Sequence, residues 1–273
     1  MRKQTLKAFG LSHDPFTKEF ADDEAWLPPS KIQVVETITE ALRARQHILV
    51  IGEPGAGKTV ALRGVRHALP QTRFRLTYCH NATLGRRDFY RQLCLAIGLS
   101  PKATAAAVFA ALTEYVEDFA ADKQVHPVFI MDESHLMKDE MLDHLHILTN
   151  YAWDSRALLS LVLVGLPELH ERLGRRRHRS LMSRIHCRVV ITPLAPSDTH
   201  DYIRHRLAST GAKAEPFPPD AIALLHEKTG GLMRDLDRIA ALALDLAARK
   251  KSAIVHKDIA LTAIALDANG EVC

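Results

Sequence analysis

The chain has 273 residues, 47% of them hydrophobic and 25% charged, which is the make-up of a soluble globular protein with room for one large domain or two modest ones. Its longest uncharged apolar stretch, Ala157 to Pro167, is about eleven residues, whereas a membrane-spanning helix needs roughly twenty. The formal net charge of +4 is too mild to decide for or against a polyanionic partner.

The opening segment MRKQTLKAFGLSHDPF carries early positive charge without the apolar centre of a secretory signal, so a cytoplasmic protein with no membrane partner is expected. Cys79, Cys94, Cys187 and Cys273 are scattered with no C-x-x-C pair, which argues against a zinc ribbon and a disulfide framework. The 15 histidines include the close pairs His144/His146 and His178/His186, but none has metal-site spacing, and they read as solvated side chains. From Leu194 onward there are 10 Lys and Arg against 11 Asp and Glu, compared with 26 against 21 before it. The positive excess therefore lies in the first part, where Arg86-Arg87 and RRRHR (Arg175 to Arg179) form clusters.

Along the chain, short β-branched runs alternate with amphipathic stretches of helical length. The runs are HILVI from 47, RFRLTYC from 73, PVFIM from 127, LLSLVLVG from 158 and RVVIT from 188. Continuous apolar runs of this length are expected of parallel strands covered on both faces. The intervening helices are expected at Lys31–Arg45, Lys58–Ala68, Arg87–Ile97, Ala103–Asp122 and Asp139–Asn150. After ITPLAPSD the strand pattern stops; Ser197 is expected to cap a helix, Pro219 to open another, and further helices to follow through GLMRDLDRIAALALDLAARK and from near Val255. The reading is an α/β domain over residues 1–193, with a parallel five-stranded sheet flanked by helices, and a small all-helical domain over 194–273.

Two motifs carry the chemistry. GEPGAGKT (Gly52, Glu53, Pro54, Gly55, Ala56, Gly57, Lys58, Thr59, with Val60 after it) follows the first strand and has the spacing of a phosphate-binding loop. In such a loop backbone N–H groups wrap the phosphates, the lysine reaches the β and γ phosphates, and the Thr hydroxyl goes to magnesium, with the helix N-terminus favouring the anion. The third strand ends in VFIMDESH, which places Asp132 to hold Mg2+ and Glu133 to orient and deprotonate a water at the strand end where the loop also sits. The cofactors expected are ATP and Mg2+, and the activity expected is ATP hydrolysis.

With FGLSHDPF, GEPGAGKT, VFIMDESH, VGLPEL, LMSRIHCRVVITPL and TGGLMRDLDRI on the page, the sequence resembles the AAA+ ATPases over nearly its whole length. Within them it is similar to the group holding the ExeA secretion ATPase and the TniB and TnsC transposition ATPases. The resemblance implies that Arg184 is an arginine finger acting on a neighbouring subunit, with Arg179 and Arg188 as competitors, and that Arg234 is the sensor 2 arginine of the lid. It places Phe16, after Pro15, near the adenine. It also exposes a departure: Leu166 stands where relatives carry a polar residue that helps place the attacking water, so slow hydrolysis or help from Glu168 is expected.

Two tasks fit this resemblance. The first is a regulator of DNA transposition that assembles with ATP as a ring or filament on duplex DNA, serves a transposase and possibly an adaptor protein, and disassembles on hydrolysis. Its backbone contacts to DNA would come from Arg86, Arg87, Thr83 and Lys138. The alternative is an ExeA-like secretion ATPase or a signalling switch without DNA binding; the absence of a further segment after Cys273 weighs towards transposition in this reading.

Overall fold

The computed structural model describes residues 3–17, 26–80, 83–100, 104–121, 124–151, 155–212 and 215–269, so Cys273 lies outside the described residues. Among them, strands β1 (His47–Ile51), β2 (Phe74–Cys79), β3 (His126–Met131), β4 (Ser160–Gly165) and β5 (Ile185–Val190) form one five-stranded sheet in the order β2-β3-β4-β1-β5. Every pairing is parallel. The helices are α1 (Lys3–Phe9), α2 (Pro29–Arg43), α3 (Lys58–Ala68), α4 (Arg86–Ile97), α5 (Ala105–Ala121), α6 (Asp139–Leu148), α7 (Glu168–Leu173), α8 (Arg179–Met182), α9 (Pro196–Ala208), α10 (Pro219–Thr229), α11 (Met233–Arg249) and α12 (Lys257–Ala268). The α/β architecture expected from the alternating runs is the one found.

Burial explains the strand compositions. β3 and β4 lie inside the sheet and are buried at every position, which demands continuous apolar runs, whereas the edge strand β5 alternates buried and exposed residues. That alternation is why β5 begins at Ile185, three residues before the apolar run RVVIT: His186 and Arg188 are exposed on an edge strand and interrupt the pattern. In the second half, Ala195 is the N-cap of α9 and Pro196 its first residue, so Ser197 lies inside the helix rather than capping it. Proline fits there because its fixed φ suits the first turn and the N–H it lacks would have no helical partner.

Contacts divide the chain into two compact units, one of residues 32–53 and 61–191 and one of residues 1–31, 54–60 and 192–273. In the sheet unit, Leu49, Phe129, Met131, Leu161 and Leu163 from the strands pack with Phe89, Tyr90 and Leu93 of α4, Val108, Leu112 and Val116 of α5, and Leu142 and Leu145 of α6. Each such burial stabilises by about 1.5–3 kcal/mol before chain entropy is subtracted. In the helical unit, α11 is the central helix: Leu236, Ile239, Ala240, Ala243, Leu244 and Ala247 recur at helical spacing and are buried. Its alanines face a core that also takes Ala260 and Ala263 of α12 and, from the N-terminal segment, Leu11 and Phe16.

His126 opens β3 at 6% exposure, with Nε2 2.9 Å from the Ser160 hydroxyl oxygen. Burial, and to a lesser degree the nearby Arg45 and His47, lower its pKa from 6.5 to about 4. The ring is neutral in the fold while the unfolded chain takes up a proton near pH 6.5. Its contribution is therefore complete above that pH and is lost as pH falls from 6.5 towards 4. His126→Gln should remove roughly 2–3 kcal/mol of the stability difference between pH 7 and pH 4.5, read as denaturant midpoints of variant and wild type at both values; equal pH dependence in the two would refute the assignment.

Candidate functional site

Because the strands are parallel, β1, β3 and β4 deliver their C-terminal ends to one edge. Ile51 stands opposite Gly165, and Met131 opposite Leu163. The residues that follow, Gly52 after β1 and Asp132 after β3, are thus brought to that edge. Gly52 donates its N–H to the Gly165 carbonyl at 3.2 Å. A Cβ at Gly52 would lie 2.6 Å from the Ile191 carbonyl oxygen, so the first glycine of the motif answers to close strand packing.

Asp132 is 8% exposed and its carboxylate is fixed from two sides. Oδ1 accepts the Glu133 N–H at 2.8 Å and Oδ2 accepts the Tyr78 hydroxyl of β2. Burial raises the Tyr78 pKa, and the bond to Asp132 raises it further, so Tyr78 stays a donor. A carboxylate held in one orientation at a strand end is suited to a hard cation, directly or through its water shell. Glu133 is exposed with φ +53°, a left-handed conformation that costs a residue with a Cβ about 1–3 kcal/mol. Its Oε2 lies 3.5 Å from Nδ1 of His135.

The segment after Glu133 is clamped by Arg172 of α7, a residue that sequence reading missed. Its guanidinium donates to the His135 carbonyl, to the Met137 carbonyl at 2.8 Å and to Asp139 Oδ1 at 2.7 Å. Asp139 is held below its ordinary pKa mainly by that Arg172 hydrogen bond. His178 is buried, with its ring nitrogens 3.2 Å from Asp139 and 3.0 Å from Asp143, and Arg177 pairs with Asp143 at 2.7 Å. Part of RRRHR is therefore structural, while Arg175, Arg176 and Arg179 are exposed. Tyr78 and Arg172 were not legible because each acts across the fold on a residue more than 30 positions away.

Within the helical unit, Pro54–Val60 is shaped by glycine and by the start of α11. Gly55 and Gly57 have φ of +83° and +97°. The Met233 N–H donates to the Gly55 carbonyl at 2.9 Å, and a Cβ at Gly57 would meet Met233 Sδ at 2.8 Å and Lys31 Cε at 3.2 Å. Lys31 is buried, donates to the Thr192 carbonyl at 2.8 Å, and has its pKa lowered by burial to about 8. It too was missed, since its spacing is that of an ordinary helix lysine. Ala56 is buried, Lys58 and Val60 are half-buried, and Glu53, Pro54 and Thr59 are exposed. Lys58 is the first residue of α3.

Arg234 is exposed and adjoins Gly55, whose added Cβ would lie 3.0 Å from Arg234 Cβ. The carboxylates that could pin it to the helix surface are engaged elsewhere, Asp235 by Arg238 at 2.8 Å and Asp237 by the Tyr202 hydroxyl at 2.6 Å. Gly231, with φ +77°, sets the start of α11: a Cβ there would fall 2.1 Å from the Leu194 carbonyl oxygen.

Arg184 precedes β5 and so lies at the other, N-terminal edge of the sheet, half-buried. A five-residue strand separates the edges by roughly 16 Å, so Arg184 and the Asp132–Glu133 pair are not brought together within the sheet unit. Arg188 is exposed on β5. Arg86 and Arg87 form the first turn of α4, both exposed, and Arg86 Nη1 is 2.8 Å from Nε2 of His144. Thr83 is exposed, and Lys138 is the exposed N-cap residue of α6. Phe16 is 6% exposed, edge-on to Phe217 at 6.2 Å, inside the helical core. Among the described residues no group of three or more His, Cys, Asp or Glu is placed to hold a metal by itself.

Residues 40–173 match the AAA domain family. The solved structures similar to the chain include Cdc6p from Pyrobaculum aerophilum (TM-score 0.70, 14% identity, 90% of this chain and 68% of that one) and Drosophila ORC bound to DNA (TM-score 0.70, 19% identity, 96% and 65%). The Thermotoga maritima RuvB Holliday junction branch migration motor is similar at TM-score 0.61 and 16% identity, over 93% of this chain and 73% of that one. The fold is that of an AAA+ P-loop NTPase. Among curated proteins, the chain is similar to General secretion pathway protein A of Aeromonas hydrophila, 31% identical over 260 residues, covering 93% of this chain and 47% of that protein. It thus spans about half the length of that relative. Among the described residues, no helix is long and apolar enough to cross a membrane.

Arg172→Lys should destabilise the protein by about 1–3 kcal/mol, because an ammonium cannot reproduce a planar fork with three acceptors. Urea midpoints test this, and an unchanged midpoint would show that the clamp contributes nothing.

Proposed function

We propose that the chain is an ATP-hydrolysing AAA+ switch of the General secretion pathway protein A kind, working as a homo-oligomer with Mg2+ and ATP. The similarity over 93% of the chain carries this reading. It favours the secretion alternative over the transposition regulator, for which the comparisons offer a DNA-related likeness at the level of fold alone. Its partners on this reading are protein components of a secretion machinery rather than a transposase.

The chemistry assigned to the residues is phosphoryl transfer to water. When bound, ATP·Mg2+ supplies the reacting γ phosphate and the cation that neutralises its charge. The loop Gly52 to Val60 binds the phosphates, Lys58 as a point charge on the β and γ groups; Thr59 and Asp132 hold the metal; Glu133 orients the water and takes its proton. Residues 1–193 are taken as the nucleotide-binding domain and 194–273 as the lid, with Arg234 as its nucleotide sensor. Arg184, at the opposite sheet edge from Glu133, is assigned to a second copy's nucleotide, where it stabilises transition-state charge. Leu166 offers no polar group for the water and favours slow turnover. The exposed Arg86, Arg87, Thr83 and Lys138 remain the residues to which duplex DNA would bind on the competing reading.

Lys58→Ala should weaken ATP binding roughly ten- to hundredfold, and Glu133→Gln should lower ATP hydrolysis by about 10²–10⁴ while leaving binding intact. Normal turnover in Glu133→Gln would show that another group is the base. Sedimentation of Glu133→Gln with linear duplex DNA and ATP separates the two tasks: no DNA binding at any salt concentration supports the secretion reading, and ATP-dependent, salt-sensitive binding lost in Arg86→Ala/Arg87→Ala overturns it.

A further inference from the structure

His135 sits at the C-terminal edge of the sheet and takes no part in the chemistry assigned above. It lies in the single 3₁₀ turn Ser134–Leu136 that follows Glu133. The backbone of that turn is tied down within the sheet unit. Ser134 is buried and donates its hydroxyl to the Met131 carbonyl at 2.7 Å, the Leu136 N–H donates to the Glu133 carbonyl at 2.8 Å, and Arg172 holds the His135 carbonyl. Against the turn stands Gly165, the last residue of β4, where an added Cβ would lie 3.2 Å from the His135 nitrogen and 3.4 Å from the His135 Cβ. His135 therefore rests on the end of β4, one residue short of Leu166.

Two independent observations converge on its side chain. The imidazole is 10% exposed, and its Nδ1 is shut off from solvent with no hydrogen-bond partner among the described residues. A buried polar atom left in that state is costly, and a fold that keeps one calls for a reason. The ionisable group facing Nδ1 is the carboxylate of Glu133, half-exposed, with Oε2 at 3.5 Å and not aligned for a hydrogen bond. Residues two apart in a regular helix do not face each other. The left-handed backbone of Glu133, φ +53°, interrupts the regular run, and here carboxylate and imidazole meet. Backbone strain and an orphan ring nitrogen thus mark the same contact.

We infer that His135 is a positioning residue for Glu133. Its Nδ1–H donates to one carboxylate oxygen and leaves the other turned to the attacking water; the proton of the water passes to Glu133, and His135 keeps its own. A small closure of the 3.5 Å gap makes the bond. The turn after β3 in this way supplies the polar group that Leu166 does not offer after β4. The inference rests on the hydrolysis reading given above, in which Glu133 is the base.

The experiment is ATP hydrolysis by His135→Leu, His135→Gln and His135→Asn, each shown to be folded by thermal unfolding. Asn can set an amide N–H where Nδ1 stands, Gln sets it one bond further out, and Leu has none. In the Leu and Gln variants kcat should fall roughly ten- to hundredfold with KM for ATP within about twofold of wild type, and Asn should restore most of the loss. In the Glu133→Gln protein the same three changes should cause no further loss of single-turnover hydrolysis, because the group they position is gone. Unchanged kcat in His135→Leu, no advantage of Asn over Gln, or a further loss in the Glu133→Gln background overturns the inference and leaves Glu133 as the base. Absence of hydrolysis in the wild type, or full activity in Glu133→Gln, overturns the hydrolysis reading and this inference with it.

Discussion

A parallel sheet has two chemically different edges, and the rest of this molecule follows from that constraint. Every strand enters at one edge and leaves at the other, so residues just after β1 and β3 are gathered at the exit and residues just before β1, β4 and β5 at the entrance. At the exit stand Gly52, the buried Asp132 and the exposed Glu133; at the entrance stand Arg45, Arg156 and Arg184. Acid and base groups are thereby separated by the length of a strand, roughly 16 Å. A group at one edge therefore cannot reach chemistry at the other edge of the same sheet.

Holding the exit edge together requires backbone conformations that most sequences avoid. Glu133 sits in the left-handed region, and the surrounding structure fixes it there: Asp132 takes its N–H, and Arg172 holds the carbonyls of His135 and Met137 just beyond it. Strain of this kind persists only where neighbours over-determine it, and it concentrates at functional positions. The helical unit uses the same means with glycine. Gly55 and Gly57 lie at positive φ against Met233, Arg234 and Lys31, and Gly231 lies against the Leu194 backbone, which leaves no room for a Cβ there. The start of α11 and residues Pro54–Val60 are in this way built as one piece within that unit.

The basic residues divide by what they touch. Arg172, Arg177 and the buried His178 meet Asp139 and Asp143 and work as scaffold. Arg45, Arg156 and Arg184 line a concavity whose described lining residues include no acid, and Arg86 and Arg87 occupy the first turn of α4, where the helix dipole disfavours cations. A net charge of +4 conceals all three groups.

The amino-acid sequence by itself determined the strand runs and their α/β order, because wholly buried parallel strands need unbroken apolar segments, and β3 and β4 are buried throughout. It also singled out the GEPGAGKT segment and the Asp132–Glu133 pair, since each is a short motif of residues adjacent in the chain. It misplaced the start of β5 and the cap of α9, where an exposed edge and a proline at N1 break the simple patterns. Only the tertiary structure decided that Tyr78 orients Asp132, that Arg172 clamps the segment after Glu133, that Lys31 lies under Gly57, and that three arginines from distant turns share one cleft. Those contacts join residues tens to more than a hundred positions apart, and no local periodicity or spacing encodes which distant side chain a folded strand end will meet.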